Sequence, residues 1–541
     1  MKKNSKQYKT AHEQLVDICV QLNGEKDIHL LMEKVLLAAL DISNADAGTI
    51  YILKDKKRLE FQTVINTTLG LHLGGSSNNP VNFSGIPLTI DGKPNTSAMV
   101  VNAVTSGEVI NIEDVYATLP FDFSAARKMD KETGYRTQSM LTFPLKDHVN
   151  EIVGVIQLIN AQDDNGIVAF SKDVEHQCLS FASLGAIALT NKSLIDNMEE
   201  LFQSFIQTIA RVIDEKSPHT GEHCKRVPEL TLMFAKAVHE EKQGPLGSLT
   251  FSDNEMYQLG IAGWLHDCGK IATPDHVIDK ATKLNAIFDR IDYVLAKLEI
   301  VSRDIDIKYQ LQIIDALKNN QVTEIEKIAQ QQQNEQQQLA VDRNFLQNVN
   351  IGGEFLSDED EENIVVVADR YQITINQEPQ SLLTSDEIYN LKIKRGTLNN
   401  EERLVIQRHM NVTLDILEGL PFPKHMQNVP EYALGHHETM DGKGYPRGLT
   451  KEQLSVPARI MALADIFEAL SSSDRPYKKA KPVSECLTIM GKMVKRNCLD
   501  PDLFDIFVHS KVYENYINKF SKPEQIDDFN VQDIPGLTRI S

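Results

Sequence analysis

The sequence predicts a multidomain chain: an α+β sensor region, a long connecting helix, and an all-α output region carrying a helical-hairpin insertion. Three observations predict it. Over residues 47–161, β-type apolar runs alternate with turn signals and are bracketed by helical patterns. Residues 171–215 contain no proline and only one glycine, Gly185, while apolar side chains recur at three- and four-residue steps. Beyond residue 215 the periodicity is almost entirely helical, and 541 residues exceed what one core can serve, so two to four domains are expected.

The elements follow in order. Residues 1–28 read as a short helix, and Leu30, Leu31, Val35, Leu36, Ala39 and Leu40 give a helical stripe over residues 29–43. AGTIYIL, the turn KDKK and RLEFQTVI form a hairpin over residues 47–65, followed by a polar loop over 68–97. Two more strands lie in GYRTQSMLTFPLKDHVNEIVGVIQLINA, joined by a turn at 147–151. In the long helix, Leu194, Met198, Leu201, Phe205, Ile209 and Val212 make an apolar seam, the pattern of a dimer interface able to pass a twist or shift along the chain. Ile287, Ile291, Val294, Leu298, Val301 and Ile305 step 4-3-4-3-4. A second helical stretch with a glutamine-rich middle runs to about residue 350, and the acidic run SDEDEEN at 357–363 reads as a loop. The expected organisation is an N-terminal helix (1–28), a sensor domain (29–190), a connecting helix (191–214), and an output domain in two parts (215–284 and 396–541) around an arm (285–395).

Gross chemistry narrows the function. A formal charge of −20 argues against a sequence-independent DNA surface, though not against a nucleotide in a local basic pocket. No run approaches eighteen consecutive apolar residues, and the basic start MKKNSKQYKTAHEQ has no apolar stretch behind it, so neither a membrane span nor a secretion signal is expected. Six scattered cysteines without a CxxC pair read as reduced thiols of a cytoplasmic protein.

The chemistry-bearing residues sit in apolar helical surroundings. Glu215 and His219 are one turn apart, with Pro218 between them; His266 and Asp267 end an apolar run; His409 shares a helix face with Val405 and Ile406. His436 and His437 are adjacent, so they face one place only at a helix end or while serving two neighbouring ions. Asp465 lies among Ile460, Leu463, Ala464 and Ile466. Any one alone reads as a satisfied core residue. Together, five histidines and three carboxylates on apolar faces are hard to satisfy except with metal, because buried charge is costly unless paired or coordinated. Imidazole and carboxylate donors without thiolate favour iron, manganese or zinc, and eight donors imply at least two ions.

Two resemblances sharpen this. Residues 28–190 resemble a GAF domain through TGYRTQSMLTFPL, GVIQLIN and the stretch from Phe170 to Glu175. Nucleotide-binding GAF domains carry an N-K…F-x3-D-E pattern; this chain keeps Asn160, Phe170 and Glu175 but has Ala161 and Val174, which leaves a dimerising scaffold and a sensor of an unknown small ligand both open. HDCGKI at 266–271, HHETMDGKGYP at 436–446 and ARIMALADIFEALSSSDRPYKKA at 458–480 resemble the HD-GYP family, hydrolases of the second messenger cyclic di-GMP. The resemblance implies metal ligands at Glu215, His219, His266, Asp267, His409, His436, His437 and Asp465, with Asp267 bridging. It implies two divalent ions, or three where Glu215 is kept, with iron favoured and manganese the alternative. Lys270, Arg475 and Lys478 fall on phosphate-contacting positions, and Tyr445 shapes the pocket wall. His223 matches a recurrent family position and is read as a neighbour of the ligands, not as one of them. Glu468 stands where many relatives have aspartate. The implied reaction cuts cyclic di-GMP to pGpG and further to GMP; the alternatives are another cyclic dinucleotide such as 3′,3′-cyclic GMP-AMP, or a receptor that binds without cutting. A homodimer through the GAF domain and connecting helix is the expected assembly.

Overall fold

The computed structural model describes residues 27–117, 123–216, 222–353, 355–375, 377–472 and 480–538. The chain divides into two compact units, residues 1–202 and 203–541. The helix expected over 1–28 lies outside the described residues as far as residue 26.

In the first unit, α1 (Ile28–Ser43) is capped by the Asp27 carboxylate, which accepts from the amides of His29 and Leu30. The chain then enters an antiparallel sheet of β1 (Ala45–Lys54), β2 (Arg58–Asn66), β3 (Leu71–Leu73), β4 (Ile110–Ile112), β5 (Met140–Lys146) and β6 (Ile152–Asp163). Their spatial order is β3-β2-β1-β6-β5-β4, with Ile86–Pro87 added beside β2 and Gly166–Val168 beside β6. The two hairpins read from sequence are β1–β2 and β5–β6, and β1 pairs centrally with β6. The polar segment after β2 contributes short strands, and Met99–Ser106 forms a helix that its brevity hides in the sequence. Leu31, Val35, Leu36 and Ala39 of α1 pack with Ile50, Phe143, Ile156 and Leu158 of the sheet and with Cys178, Phe181 and Ala186 of the long helix.

That long helix, α2 (Lys172–Lys216), spans 45 residues and is shared by both units. By length and composition alone it could cross a membrane, although it holds no run of eighteen consecutive apolar residues; Cys178, Phe181, Ala182, Ala186 and Leu189 along it pack in the core of the first unit. Of the seam residues, Leu194, Met198, Leu201, Phe205 and Val212 are exposed.

The second unit is helical. Its core bundle comprises α3 (His223–Glu240), α4 (Asp253–Leu265), α8 (Asn400–Gly419), α9 (Val429–Leu434) and α10 (Val456–Ser471), followed by three C-terminal helices. The insertion is built on α5 (Ile291–Lys318) and α6 (Ile325–Asn350), packed through Val294, Leu298, Val301, Ile305, Leu339 and Leu346. Ile287, read as the start of the stripe, precedes the helix and is exposed. The acidic run is a helix start rather than a loop: α7 (Asp358–Arg370) is capped by Ser357, whose hydroxyl accepts from the Asp360 amide, and its first-turn carboxylates sit at the positive end of the helix dipole.

Candidate metal centre

Five segments of the second unit supply the centre. His266 closes α4, which begins with a capping box between Ser252 and Glu255. Asp267 opens a short 3₁₀ turn, Cys268–Ala272. His409 lies within α8, whose start is fixed by a second capping box, Asn399 with Glu402. His436 and His437 follow the end of α9, separated from it by Gly435. Asp465 lies in α10 and His223 begins α3.

Two groups of ligand atoms converge, each within 4.8 Å: Asp267 with His409, His436 and His437, and Asp267 with His223 and His266. The Asp267 carboxylate stands between them. Its Oδ1 is 3.3 Å from His409 Nε2, and its Oδ2 is 3.3 Å from His223 Nε2 and 3.2 Å from His266 Nε2. Asp465 Oδ1 joins the second group, 3.4 Å from His223 Nε2 and 3.8 Å from His266 Nε2. Lys270 Nζ lies 2.5 Å from Asp267 Oδ2.

The imidazoles are held by their far nitrogens. Nδ1 of His266, His409 and His436 meets the carbonyl three residues earlier, Gly263 O at 2.7 Å, Ile406 O at 2.5 Å and Ala433 O at 2.6 Å. Each Nδ1 therefore carries the proton, and each Nε2 turns a lone pair inward. His223 is held instead by Glu468: Nδ1 is 2.6 Å from Oε2, and Arg226 Nε donates to Oε1 at 2.7 Å. Inside, Asp267 Oδ1, His409 Nε2 and His436 Nε2 are buried with no hydrogen-bond partner. Buried polar atoms left unpaired are costly, and three of them aimed at one spot are what divalent cations with oxygen and nitrogen ligands would satisfy.

The electrostatics fit. Burial opposes charge on Asp267, but Lys270 and His266 hold its carboxyl well below the usual range. Burial, aided by the neighbouring His266, lowers His436 to about 4, and burial with His436 nearby pushes His437 well below its ordinary value. Both are neutral donors at neutral pH. Burial also disfavours the His223 imidazolium, yet the Glu468 carboxylate overrides it and lifts the ring to about 10, so this ring would coordinate only where a cation displaces its second proton.

The GYP loop covers the His436–His437 end. The buried Glu438 carboxylate accepts from the amides of Arg447 and Leu449, and the Tyr445 ring stacks on His437 with centroids 4.8 Å apart. Gly444 is required by contact, since a Cβ there would lie 2.4 Å from Glu438 Cα.

Of the residues singled out in the sequence, His266, Asp267, His409, His436, His437 and Asp465 come together with Lys270 and Tyr445 beside them. His219, Arg475 and Lys478 lie outside the described residues. Glu215 is exposed and belongs to neither group, while its neighbour Asp214 at the end of α2 is buried. His223, set aside as a neighbour, occupies the interior instead. Its mark is structural: Nδ1 meets the buried Glu468 carboxylate across α3 and α10, and a buried carboxylate orienting an imidazole marks a ligand position.

Comparison with known proteins places residues 382–503 in a recognised family. This region is an HD domain. The HD domain match holds His409, His436, His437 and Asp465. Over 132 residues the chain is 39% identical to 3′3′-cGAMP-specific phosphodiesterase 1 of Vibrio cholerae, covering 24% of this chain and 28% of that protein. It is 38% identical over 112 residues to the cyclic di-GMP phosphodiesterase response regulator RpfG of Xanthomonas campestris, covering 20% and 29%. It is 41% identical over 105 residues to a cyclic di-GMP phosphodiesterase of Thermotoga maritima, covering 19% and 28%. The matches thus span less than a third of these relatives. Among solved structures, the GAF domain of an Acinetobacter phosphoenolpyruvate-protein phosphotransferase aligns with 35% of this chain and 97% of its own, at 14% identity and a TM-score of 0.26.

Proposed function

We propose that the second unit is a metal-dependent phosphodiesterase that hydrolyses a cyclic dinucleotide, cyclic di-GMP in the first instance, to a linear 5′-phosphorylated dinucleotide. The observation that carries this reading is the Asp267 carboxylate, set between two groups of inward-facing imidazoles with its Oδ1 unpaired. His409, His436 and His437 would hold one cation, His223, His266 and Asp465 a second, with Asp267 offering an oxygen to each. Two close divalent cations supply Lewis acidity toward a phosphodiester and bring the pKa of water toward neutrality. Iron suits this thiolate-free donor set, with manganese as the alternative.

The protein's own groups do the rest. The carbonyl bonds to Nδ1 and the Glu468 carboxylate fix ring orientation in advance, so that little reorganisation accompanies reaction. The Lys270 ammonium neutralises charge that accumulates on the phosphate oxygens as the diester is attacked. Tyr445, with its ring on His437 and its hydroxyl pushed up to about 12 by burial, stays protonated and forms a wall instead of a base. Arg475 and Lys478 are assigned to the substrate's outer phosphates.

A second reading, hydrolysis of 3′,3′-cyclic GMP-AMP, is favoured by the likeness to the 3′3′-cGAMP-specific phosphodiesterase of Vibrio cholerae. The deciding experiment incubates anaerobically prepared, metal-analysed full-length chain with each dinucleotide and identifies the products. Linear dinucleotide from either is expected; tight binding without product would leave a receptor. The first unit is assigned as a GAF-type regulator of this activity. The exposed seam Leu194, Met198, Leu201, Phe205 and Val212 is assigned to a homodimer, checked by whether a Leu201→Glu, Phe205→Glu chain loses its dimer mass in light scattering.

A further inference from the structure

The last turn of α2 reaches the metal centre's own turn. Lys216, which ends the helix, donates from Nζ to the carbonyls of Ile271 at 2.5 Å and Thr273 at 2.8 Å, with Asp275 Oδ1 at 3.6 Å. Those carbonyls close the 3₁₀ turn Cys268–Ala272, which follows directly on Asp267 and carries Lys270. A turn of this length has little stability of its own: the Lys270 amide donates to Asp267 O and the Thr273 amide to Lys270 O, and its final carbonyls have no partner within it.

The other side of the turn is already fixed. The Gly269 amide donates to Thr413 Oγ1, and a Cβ on Gly269 would fall 1.9 Å from His409 O, so the turn is pressed against α8 with no space to move toward it. Lys216 holds the opposite, carbonyl end of the same turn. Two residues earlier, Asp214 is buried and faces a cavity of about 10 Å³, room for one water, shared with His223, Asp267 and Lys270.

We propose that Lys216 is a positioning residue: by holding the Ile271 and Thr273 carbonyls it keeps Lys270 and Asp267 in register with the imidazoles of α8 and α9, so that the final turn of the long helix sets the rate of the chemistry. The role in rate rests on the phosphodiesterase reading. The role in holding the turn does not.

The test compares full-length wild type with Lys216→Met, which keeps the stem and loses the donors, and Lys216→Arg, which restores donors. Three quantities are measured: bound metal per chain, kcat and KM on cyclic di-GMP and 3′,3′-cyclic GMP-AMP, and hydrogen exchange of the amides over residues 267–274. Expected for Lys216→Met is a kcat lower by about tenfold with KM within about twofold, since a sub-ångström misplacement of a charge-stabilising group acts chiefly on the transition state. Exchange at Lys270 and Thr273 should rise by about tenfold, metal content should stay at the wild-type level, and Lys216→Arg should recover most of both effects. An unchanged kcat overturns the proposal whatever the exchange shows, as does a kcat that falls only in step with lost metal, or one that falls as far in Lys216→Arg as in Lys216→Met. If wild type cuts neither dinucleotide, the phosphodiesterase reading fails, and exchange in Lys216→Met alone then decides whether Lys216 holds the turn.

Discussion

Two regions of the second unit bury ionisable groups, and they do so in opposite ways. In the insertion and the segment that leads into it, the buried ionisable groups have protein partners. Lys280 meets Glu402 and Asn390, Lys297 meets the Leu382 carbonyl and Glu387, and Lys283 donates to Leu391 O. Asp342 receives Arg370 and the Tyr371 hydroxyl. In the centre, the outer Nδ1 atoms of His266, His409 and His436 are satisfied, while Asp267 Oδ1, His409 Nε2 and His436 Nε2 are left bare. The insertion spends its buried polarity on holding a fold together. The centre leaves its own exposed toward a common point, which makes sense only if something other than protein fills it.

Substitutions break the two regions differently. The largest effect is expected from Asp267→Ala, which removes the one carboxylate common to both groups: kcat/KM should fall by on the order of 10³-fold or more, with metal content reduced by at least half, while the circular dichroism spectrum is retained. Next is chelation. Removing metal from the wild type should destabilise the second unit by the linkage free energy, about 3–4 kcal/mol for each ion bound a hundred- to a thousandfold below its working concentration, read as a lower melting temperature; an unchanged melt after complete removal would mean that the bare atoms do not await a cation. Glu468→Gln, which loosens His223, should weaken metal affinity by about 10- to 100-fold in competition titration. Asp342→Ala in the insertion should cost about 1–3 kcal/mol of stability at unchanged metal content, the lower part of the range being favoured because Arg370 is partly exposed and can turn to water. Smallest is Tyr445→Phe: the stack on His437 remains, so turnover should stay within about threefold, and a loss of a hundredfold would give the hydroxyl a role in proton transfer.

What the sequence disclosed follows the same division. Long periodic stretches were legible: the 45-residue helix lacks proline, and its single glycine, Gly185, packs against Val35. The glutamine-rich part of α6 is helical because Leu339 and Leu346 give it a buried face and because Gln332 and Gln336 bond to Asp306 across the hairpin. Histidines in apolar helices were legible as a set. The grouping of His223 with them, and the exposure of Glu215, were not. One residue of helical phase separates Glu215 from the inward-facing Asp214, about a hundred degrees, and periodicity is too blunt near a helix end to resolve that. The acidic run at 357–363 was misread because composition was weighed above the single serine that caps it.

The carbonyls that hold His266 and His436 are helix-end groups. Gly263 O and Ala433 O lie in the final turns of their helices, where no later amide is in place to bond them, so each imidazole finishes a helix as well as facing the interior. Deleting either ring therefore confounds two losses, a coordinating nitrogen and a helix stop. An inactive alanine variant at those positions reports on fraying as much as on chemistry. Asparagine, whose amide retains a donor for the same oxygen, is the control that separates them.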